Sequence, residues 1–358
     1  MSASDVKTAW DSFIGDMTKA VERMDKMTEG LDEATRADGF QVLTRTLGAV
    51  HECLDMDRTR PLPVPHNIAT NKFLMDNPDG KYWTFEIDPR QRYCLRGNTG
   101  AAAYTAIDIY LAREKWHDTE MSASINGTDL VQDEGGNFEL VLGGDRPSTG
   151  NWLPLASEAR TVWIRQFFND VYLERPSRFD IINLDEGTPA PVLDPKMLEQ
   201  RLITAGQKMK SMTSAIRHAA DNELSRGNHV RVWSEMGGGA VFTSSDIWYQ
   251  RGAWALATDE ALVLDGIAPA SQFWNIVLYS RFLNSLDHRN RSVSLTGPKV
   301  SVDDNGRYRL ILAGRDPDLP NWLDTEGRDV GMFALRWVCP ATQPELPRAT
   351  VVKLSDLG

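Results

Sequence analysis

A chain that contains two copies of one pattern has to fold in a way that packs that pattern twice, and internal repetition is the strongest constraint here. The stretch GGNFELVLGGDRPSTGNWL (Gly135 to Leu153) aligns without a gap on NGRYRLILAGRDPDLPNWL (Asn305 to Leu323). The alignment pairs Gly136 with Gly306, Gly144 with Gly314, Pro147 with Pro317, and Asn151-Trp152-Leu153 with Asn321-Trp322-Leu323. One inserted residue later, Arg165 falls opposite Arg336. Upstream, RGNTGAAAYTAIDIY (Arg96 to Tyr110) matches DGIAPASQFWNIVLY (Asp265 to Tyr279). Two copies, covering residues 80–185 and 250–356, are too few for a solenoid and imply two similar domains or two halves of one.

Each copy reads as β. Tyr82–Ile87, Arg92–Leu95, Tyr104–Tyr110, Phe138–Leu142 and Val162–Phe168 are short and rich in β-branched and aromatic residues, with turn pairs such as Asn126-Gly127, Gly143-Gly144 and Asn305-Gly306 between the strands. Many short strands with frequent turns predict antiparallel sandwiches, jelly rolls or barrels rather than a Rossmann or TIM-barrel fold. Helical spacing lies outside the copies. Val6, Trp10, Phe13, Met17, Val21 and Met24 form one series, and Phe40, Leu43, Leu47, Val50 and Leu54 another. Leu198, Leu202, Ala205, Met209, Met212, Ile216 and Ala219 form a third, in which Asp194 caps, Pro195 opens the helix and Leu193 staples onto Leu198. The expected fold is mainly β: two repeated antiparallel jelly-roll-like β-sandwiches with N-terminal helices and one linking helix. Its units are a helical segment (1–60), a first sandwich (61–190) reached through the extended PLPVPH connector, a linking helix (191–227) and a second sandwich (228–358). The Gly237-Gly238-Gly239 run is not a P-loop, since no Lys-Ser/Thr follows, and reads as a hinge into the second β unit.

Charge narrows the partners. The 39 Lys and Arg against 50 Asp and Glu leave −11, which suits neither a phosphate backbone nor anionic lipid, so no nucleic-acid or membrane role is expected. No apolar run is long enough to span a bilayer, and the start has no secretory-signal pattern. Three dispersed cysteines, Cys53, Cys94 and Cys339, suggest reduced thiols, and the expected location is cytoplasmic.

The chain also resembles a known group, the bacterial families of domains of unknown function 1214 and, related to it, 1254. The resemblance is carried by DNPDGKYWTFEID (Asp76 to Asp88), YCLRGNTG (Tyr93 to Gly100), FWNIVLY (Phe273 to Tyr279) and PNWLDTEGRDVGMFALRW (Pro320 to Trp337). It implies a pair of jelly-roll sandwiches side by side and supplies no reaction.

Candidate functional residues follow from strand alternation. In Tyr104–Tyr110 the face with Tyr104, Ala106, Asp108 and Tyr110 opposes an aliphatic core face, and Phe273, Asn275, Val277 and Tyr279 repeat that arrangement. This second face is either a pocket wall or the solvated side of the sheet. Arg165 and Arg336, at matching strand positions, either clamp an anionic group or pair with acidic neighbours to seal the two sandwiches together. Asn151 and Asn321 are expected to cap turns beside a tryptophan that plugs the sandwich end. Asp76, Asn77 and Asp79 form a polar knot around Pro78, either a ligand-contacting loop or an Asx-turn; they are too few for a calcium loop. The six histidines make no HxH, HExxH or Cys-His pattern, so no metal site and no cofactor is expected. His66, in an extended lead-in, can serve as a general base or be an ordinary loop histidine.

One functional expectation is an enzyme of hydrolase or lyase type using acid–base chemistry on a small organic or sugar-like substrate. In it His66, Asp108 and Arg165 are catalytic, and Asp76, Asn77, Asp79, Tyr104 and Arg336 bind substrate. The other is a non-catalytic binding or structural protein assembled from duplicated jelly rolls. A homo-oligomer, a trimer among the options, fits either.

Overall fold

The computed structural model describes residues 3–52, 57–66, 72, 74–113, 119–174, 176–185 and 194–357. Two helices come first, α1 (Ala3–Met27) and α2 (Glu33–Glu52). The first repeat contains β1 (Val64–His66), β2 (Gly80–Glu86), β3 (Tyr93–Asn98), β4 (Tyr104–Leu111), β5 (Met121–Asn126), β6 (Asn137–Leu142), β7 (Asn151–Leu153), β8 (Ala159–Phe167) and β9 (Asp180–Asn183). Helix α3 (Pro195–Leu224) leads to the second repeat. That repeat contains β10 (His229–Val232), β11 (Ile247–Ala255), β12 (Glu260–Ile267), β13 (Phe273–Tyr279), β14 (Ser294–Thr296), β15 (Arg307–Ala313), β16 (Trp322–Asp324), β17 (Val330–Val338) and β18 (Arg348–Lys353).

Strand order makes the duplication explicit. The first repeat forms the sheets β1-β2-β8-β4-β5 and β7-β6-β3-β9; the second forms β10-β11-β17-β13-β14 and β16-β15-β12-β18, the same order strand for strand. Even the parallel pairs coincide, β6 with β7 and β15 with β16. The fold is mainly β and duplicated, with N-terminal helices and a linking helix, as the sequence pattern predicts.

Alternation explains why each sandwich closes. Ile107, Ile109, Val162 and Ile164 face Leu95, Leu140 and Leu142 of the partner sheet, and all are buried. In the second repeat Ile276, Leu278, Phe333 and Leu335 face Leu262, Leu264, Leu310 and Leu312 in the same way. Each such side chain contributes ~1.5–3 kcal/mol on burial. The Asn-Trp pairs fasten equivalent places. Asn151 accepts from the Val131 N–H at 2.7 Å and donates to the Val131 and Glu139 carbonyls, while Asn321 does the same with Ser301 and Arg309. The indoles of Trp152 and Trp322 donate to the Gly143 and Ala313 carbonyls, each at 3.1 Å.

Helix α3 begins where its capping signals lie, with the Asp194 carboxylate accepting from the Lys196 N–H and Pro195 in the first turn. The Leu193 staple lies outside the described residues. The expected seam is real: Leu202, Ala205, Met209, Met212 and Ile216 are buried against α1 and against Ala253, Val277, Met332 and Ala334 of the second repeat. On α1 the buried face differs from the expected one. Ala9, Phe13, Asp16, Ala20 and Met24 are buried, whereas Trp10 and Val21 remain 47% and 46% exposed. The cause is close approach to α3, where a Cβ at Gly206 would lie 3.1 Å from the Asp16 carboxylate and 3.4 Å from the Phe13 backbone. Ala9 and Ala20 lie on that face beside Phe13 and Met24.

Candidate functional site

The site begins with the faces that point away from the two sandwich cores. They are not solvated. The β2-β8-β4 face of the first repeat and the β11-β17-β13 face of the second turn toward each other and enclose Tyr104, Ala106, Phe167, Ile247, Tyr249, Phe273 and Val338 in one apolar cluster. The Phe167 and Phe273 rings meet at 5.2 Å.

The two repeats hold each other by exchanging their lead-in segments. Arg336 donates Nη2 to the Met75 carbonyl at 2.8 Å, and Arg165 donates Nη2 to the Phe242 carbonyl at 3.0 Å. Met75 and Phe242 occupy equivalent positions before β2 and β11, and both have positive φ, 56° and 58°. Positive φ is costly for side chains of this kind, so its recurrence marks a conformation imposed by the exchange. One step on, the Tyr279 hydroxyl donates to the Asp76 carbonyl and the Tyr110 hydroxyl to the Thr243 carbonyl. The contact is pseudo-twofold.

The polar knot belongs to this exchange. Asp76 accepts from the Ser285 N–H at 2.8 Å and its hydroxyl at 2.6 Å. Asn77 and Asp79 each accept from the Asn275 amide at 2.8 Å, and Ser294 donates to Asp79. Burial pushes the Asp79 carboxyl up, against the pull of these donors. Tyr104 shares hydrogen bonds with Ser244 and Asp246 of the other lead-in, both at 3.0 Å. Asp76, Asn77, Asp79 and Tyr104 thus join the repeats and stand apart from the cavity walls.

Between the facing sheets and α3 lies a chamber of about 290 Å³. Register explains its walls. His66, Tyr82 and Arg165 lie in one cross-strand row of β1, β2 and β8, and Thr84 and Trp163 in the next. On the other side, Tyr249 pairs with Arg336 across β11 and β17, and the Trp233 N–H donates to the Tyr249 carbonyl, so Trp233 stands where His66 stands in the first repeat. Trp163, Phe242 and Trp233 supply aromatic surface, and Lys208, Met212, Ala215 and Ala219 close the chamber from α3. The Trp163 and Phe242 rings stack at 5.3 Å, and the His66 ring meets Trp163 edge-on at 5.3 Å.

Both guanidiniums are almost fully buried, Arg165 at 2% and Arg336 at 5%. Burial opposes their charge, but surrounding groups outweigh it: Tyr110 and Asp108 for Arg165, and Tyr279, Tyr82 and Tyr249 for Arg336. Both stay protonated. Burial raises the Tyr82 phenol and takes that of Tyr249 up to about 12, while both arginines pull each of them down. Asp108 is not a chamber wall. Its carboxylate lies 3.2 Å from Arg165, fully buried, and accepts from the Ser124 hydroxyl at 2.6 Å. Among the described residues, Arg165 Nε and Arg336 Nη1 are buried without a hydrogen-bond acceptor.

Of the eight residues proposed from sequence, the structure brings His66, Arg165 and Arg336 to one chamber, puts Asp108 behind Arg165, and places the other four at the repeat junction. Sequence reading missed Tyr82, Trp163, Trp233, Tyr249 and Phe242. The tyrosines had a signal, since each stands opposite an arginine in equivalent strands. Phe242 had none, being in the lead-in of the opposite repeat. No group of His, Cys, Asp and Glu among the described residues is arranged to hold a metal ion.

Comparison with known proteins bears on the fold. A family model described as a protein of unknown function, DUF1214, matches residues 72–168 and 257–342, one match per repeat. A crystal structure of an uncharacterized protein from Burkholderia cenocepacia is similar at 27% identity and a TM-score of 0.92, covering 99% of this chain and 100% of that one. A Vibrio parahaemolyticus protein shares the fold at 13% identity and a TM-score of 0.51, covering 87% of this chain and 98% of that one. No curated protein matches the sequence.

Proposed function

The chain belongs to the DUF1214 family, whose description assigns no activity, and we propose from its geometry that the chamber between the repeats binds a small, largely apolar organic anion. The observation that carries this reading is the pair of buried guanidiniums, each with an unpartnered N–H, set in aromatic walls around one cavity. A buried cation and an unmet donor both cost free energy, and a carboxylate entering the chamber would relieve both. The combination of apolar surface with a few fixed polar groups is that of a small-molecule site. Acid–base chemistry on the bound molecule, of hydrolase or lyase type, would fall to His66, the imidazole on the chamber wall.

The test is thermal: a panel of aromatic and alicyclic carboxylic acids, each beside its neutral amide, is screened for a raised melting temperature. A binder at 100 times its Kd should stabilise the fold by ~2.7 kcal/mol. Acids are expected to stabilise and amides not; equal, null responses across the panel would overturn the reading.

Self-association belongs to the same proposal, supported by the exposed stripe of Trp10, Ile14 and Val21 on α1. A cytoplasmic location is supported by the free thiols of Cys94 and Cys339, which a reducing compartment preserves.

A further inference from the structure

We infer that the ligand carries a single anionic group, that Arg336 holds it, and that Arg165 instead donates to an uncharged acceptor elsewhere on the same molecule. This rests on the chamber being a small-molecule site and narrows it to aromatic or alicyclic monoacids bearing a hydroxyl or keto oxygen.

The two arginines start as equivalents. Each sits in the eighth strand of its repeat, opposite a tyrosine, and each donates Nη2 to the other repeat's lead-in carbonyl. Their counter-charges differ. Arg165 has Asp108 at 3.2 Å. The equivalent position in the second repeat is Val277, opposite Ala334 as Asp108 is opposite Trp163. Among the described residues Arg336 has no carboxylate within ion-pair distance; Asp79 acts on it from farther off and is already engaged by Asn275 and Ser294. Arg336 stacks on the Tyr279 ring at 5.9 Å, which is a weaker partner for its charge.

A guanidinium paired with Asp108 has no charge left to offer, but its unpartnered Nε–H still needs an acceptor. A neutral oxygen meets that need, whereas a second carboxylate would face Asp108. Arg336 has both a charge and an Nη1–H unmet, and a carboxylate meets both. Asp108 is therefore the residue that sets ligand charge, acting through Arg165 as a positioning residue.

Calorimetric titration of the full chain with 4-hydroxybenzoate, benzoate, 4-hydroxybenzamide and terephthalate separates the possibilities. Wild type should bind 4-hydroxybenzoate about tenfold or more tightly than the amide or the dianion. Arg336→Met should weaken the monoacid by about a hundredfold and Arg165→Met by about tenfold. Asp108→Asn, by freeing a second charge, should tighten terephthalate by about tenfold. Circular dichroism melts establish that each variant is folded. If Asp108→Asn does not fold, Asp108→Val, which copies the residue at the equivalent position of the second repeat, supplies the same test. Equal weakening by the two arginine variants, or wild-type preference for terephthalate, overturns this inference and leaves the chamber's function standing. Failure of every acid to bind folded wild type overturns both.

Discussion

The first repeat presents Glu86, Asp108, Thr161 and Trp163 on the face turned from its core, where the second presents Ala253, Val277, Met332 and Ala334. The strand orders and the hydrogen bonds of the Asn-Trp fasteners are the same in the two. What differs is what covers the face. The apolar set of the second repeat packs against α3 and α1. In the first repeat Glu86, Thr161 and Trp163 of that set border the chamber instead. Duplication thus produced two copies of a scaffold, and substitution on this face divided the labour: the patch of the second repeat packs against the helices, whereas Glu86, Thr161 and Trp163 of the first wall the chamber, which Trp233, Tyr249 and Arg336 of the second also line.

The largest expected effect lies on the packed side. Met209→Asp puts a carboxylate into the apolar cluster that holds Val277 and Met332, and should cost on the order of 5 kcal/mol, since its neighbours there are hydrophobic. Chemical denaturation measures this, and an unchanged midpoint would mean that α3 does not cover the second repeat.

Next comes the asymmetry of the arginines. Arg165→Met strands the fully buried Asp108 and should cost about 3–5 kcal/mol. Arg336→Met strands only the Met75 carbonyl and should cost about 1–2 kcal/mol. Equal losses would erase the distinction drawn between the repeats.

The fasteners should behave alike, with a difference of degree. Asn151→Ala and Asn321→Ala each remove three hydrogen bonds and should each cost ~1–3 kcal/mol, the former more because Asn151 is the better buried. Thermal melts of both variants give the ratio.

The smallest effect is a pH slope at the exchanged lead-in. Burial raises the folded-state value of Asp79 above its unfolded one, near 3.9, so the folded chain holds this proton more tightly. Its contribution to stability is therefore greatest at low pH, falls as pH rises past about 4, and levels off above the folded-state value. Asp79→Asn keeps an acceptor for Ser294 and should flatten that slope. A slope unchanged between pH 4 and 7 would assign it to other groups.

The arrangement of strands was legible because its causes are local. Period-two alternation, turn pairs and a gapless repeat are properties of neighbouring residues, and a sequence that repeats them repeats the sandwich they specify. The seam of α3 was legible for the same reason. The buried face of α1 was not: Trp10 and Val21 have the right spacing, but Gly206 on a helix distant in sequence lets the backbone of α1 approach at Phe13 and Asp16, and the face buried there carries Ala9 and Ala20. The site was legible in part. Arg165 and Arg336 announced themselves by recurring in both copies, and His66 by its extended lead-in. Whether their face met water or a partner depended on Met75 reaching Arg336 and Phe242 reaching Arg165. Those contacts join residues remote in sequence, between segments whose positive φ no local pattern demands, and only the folded chain decides them.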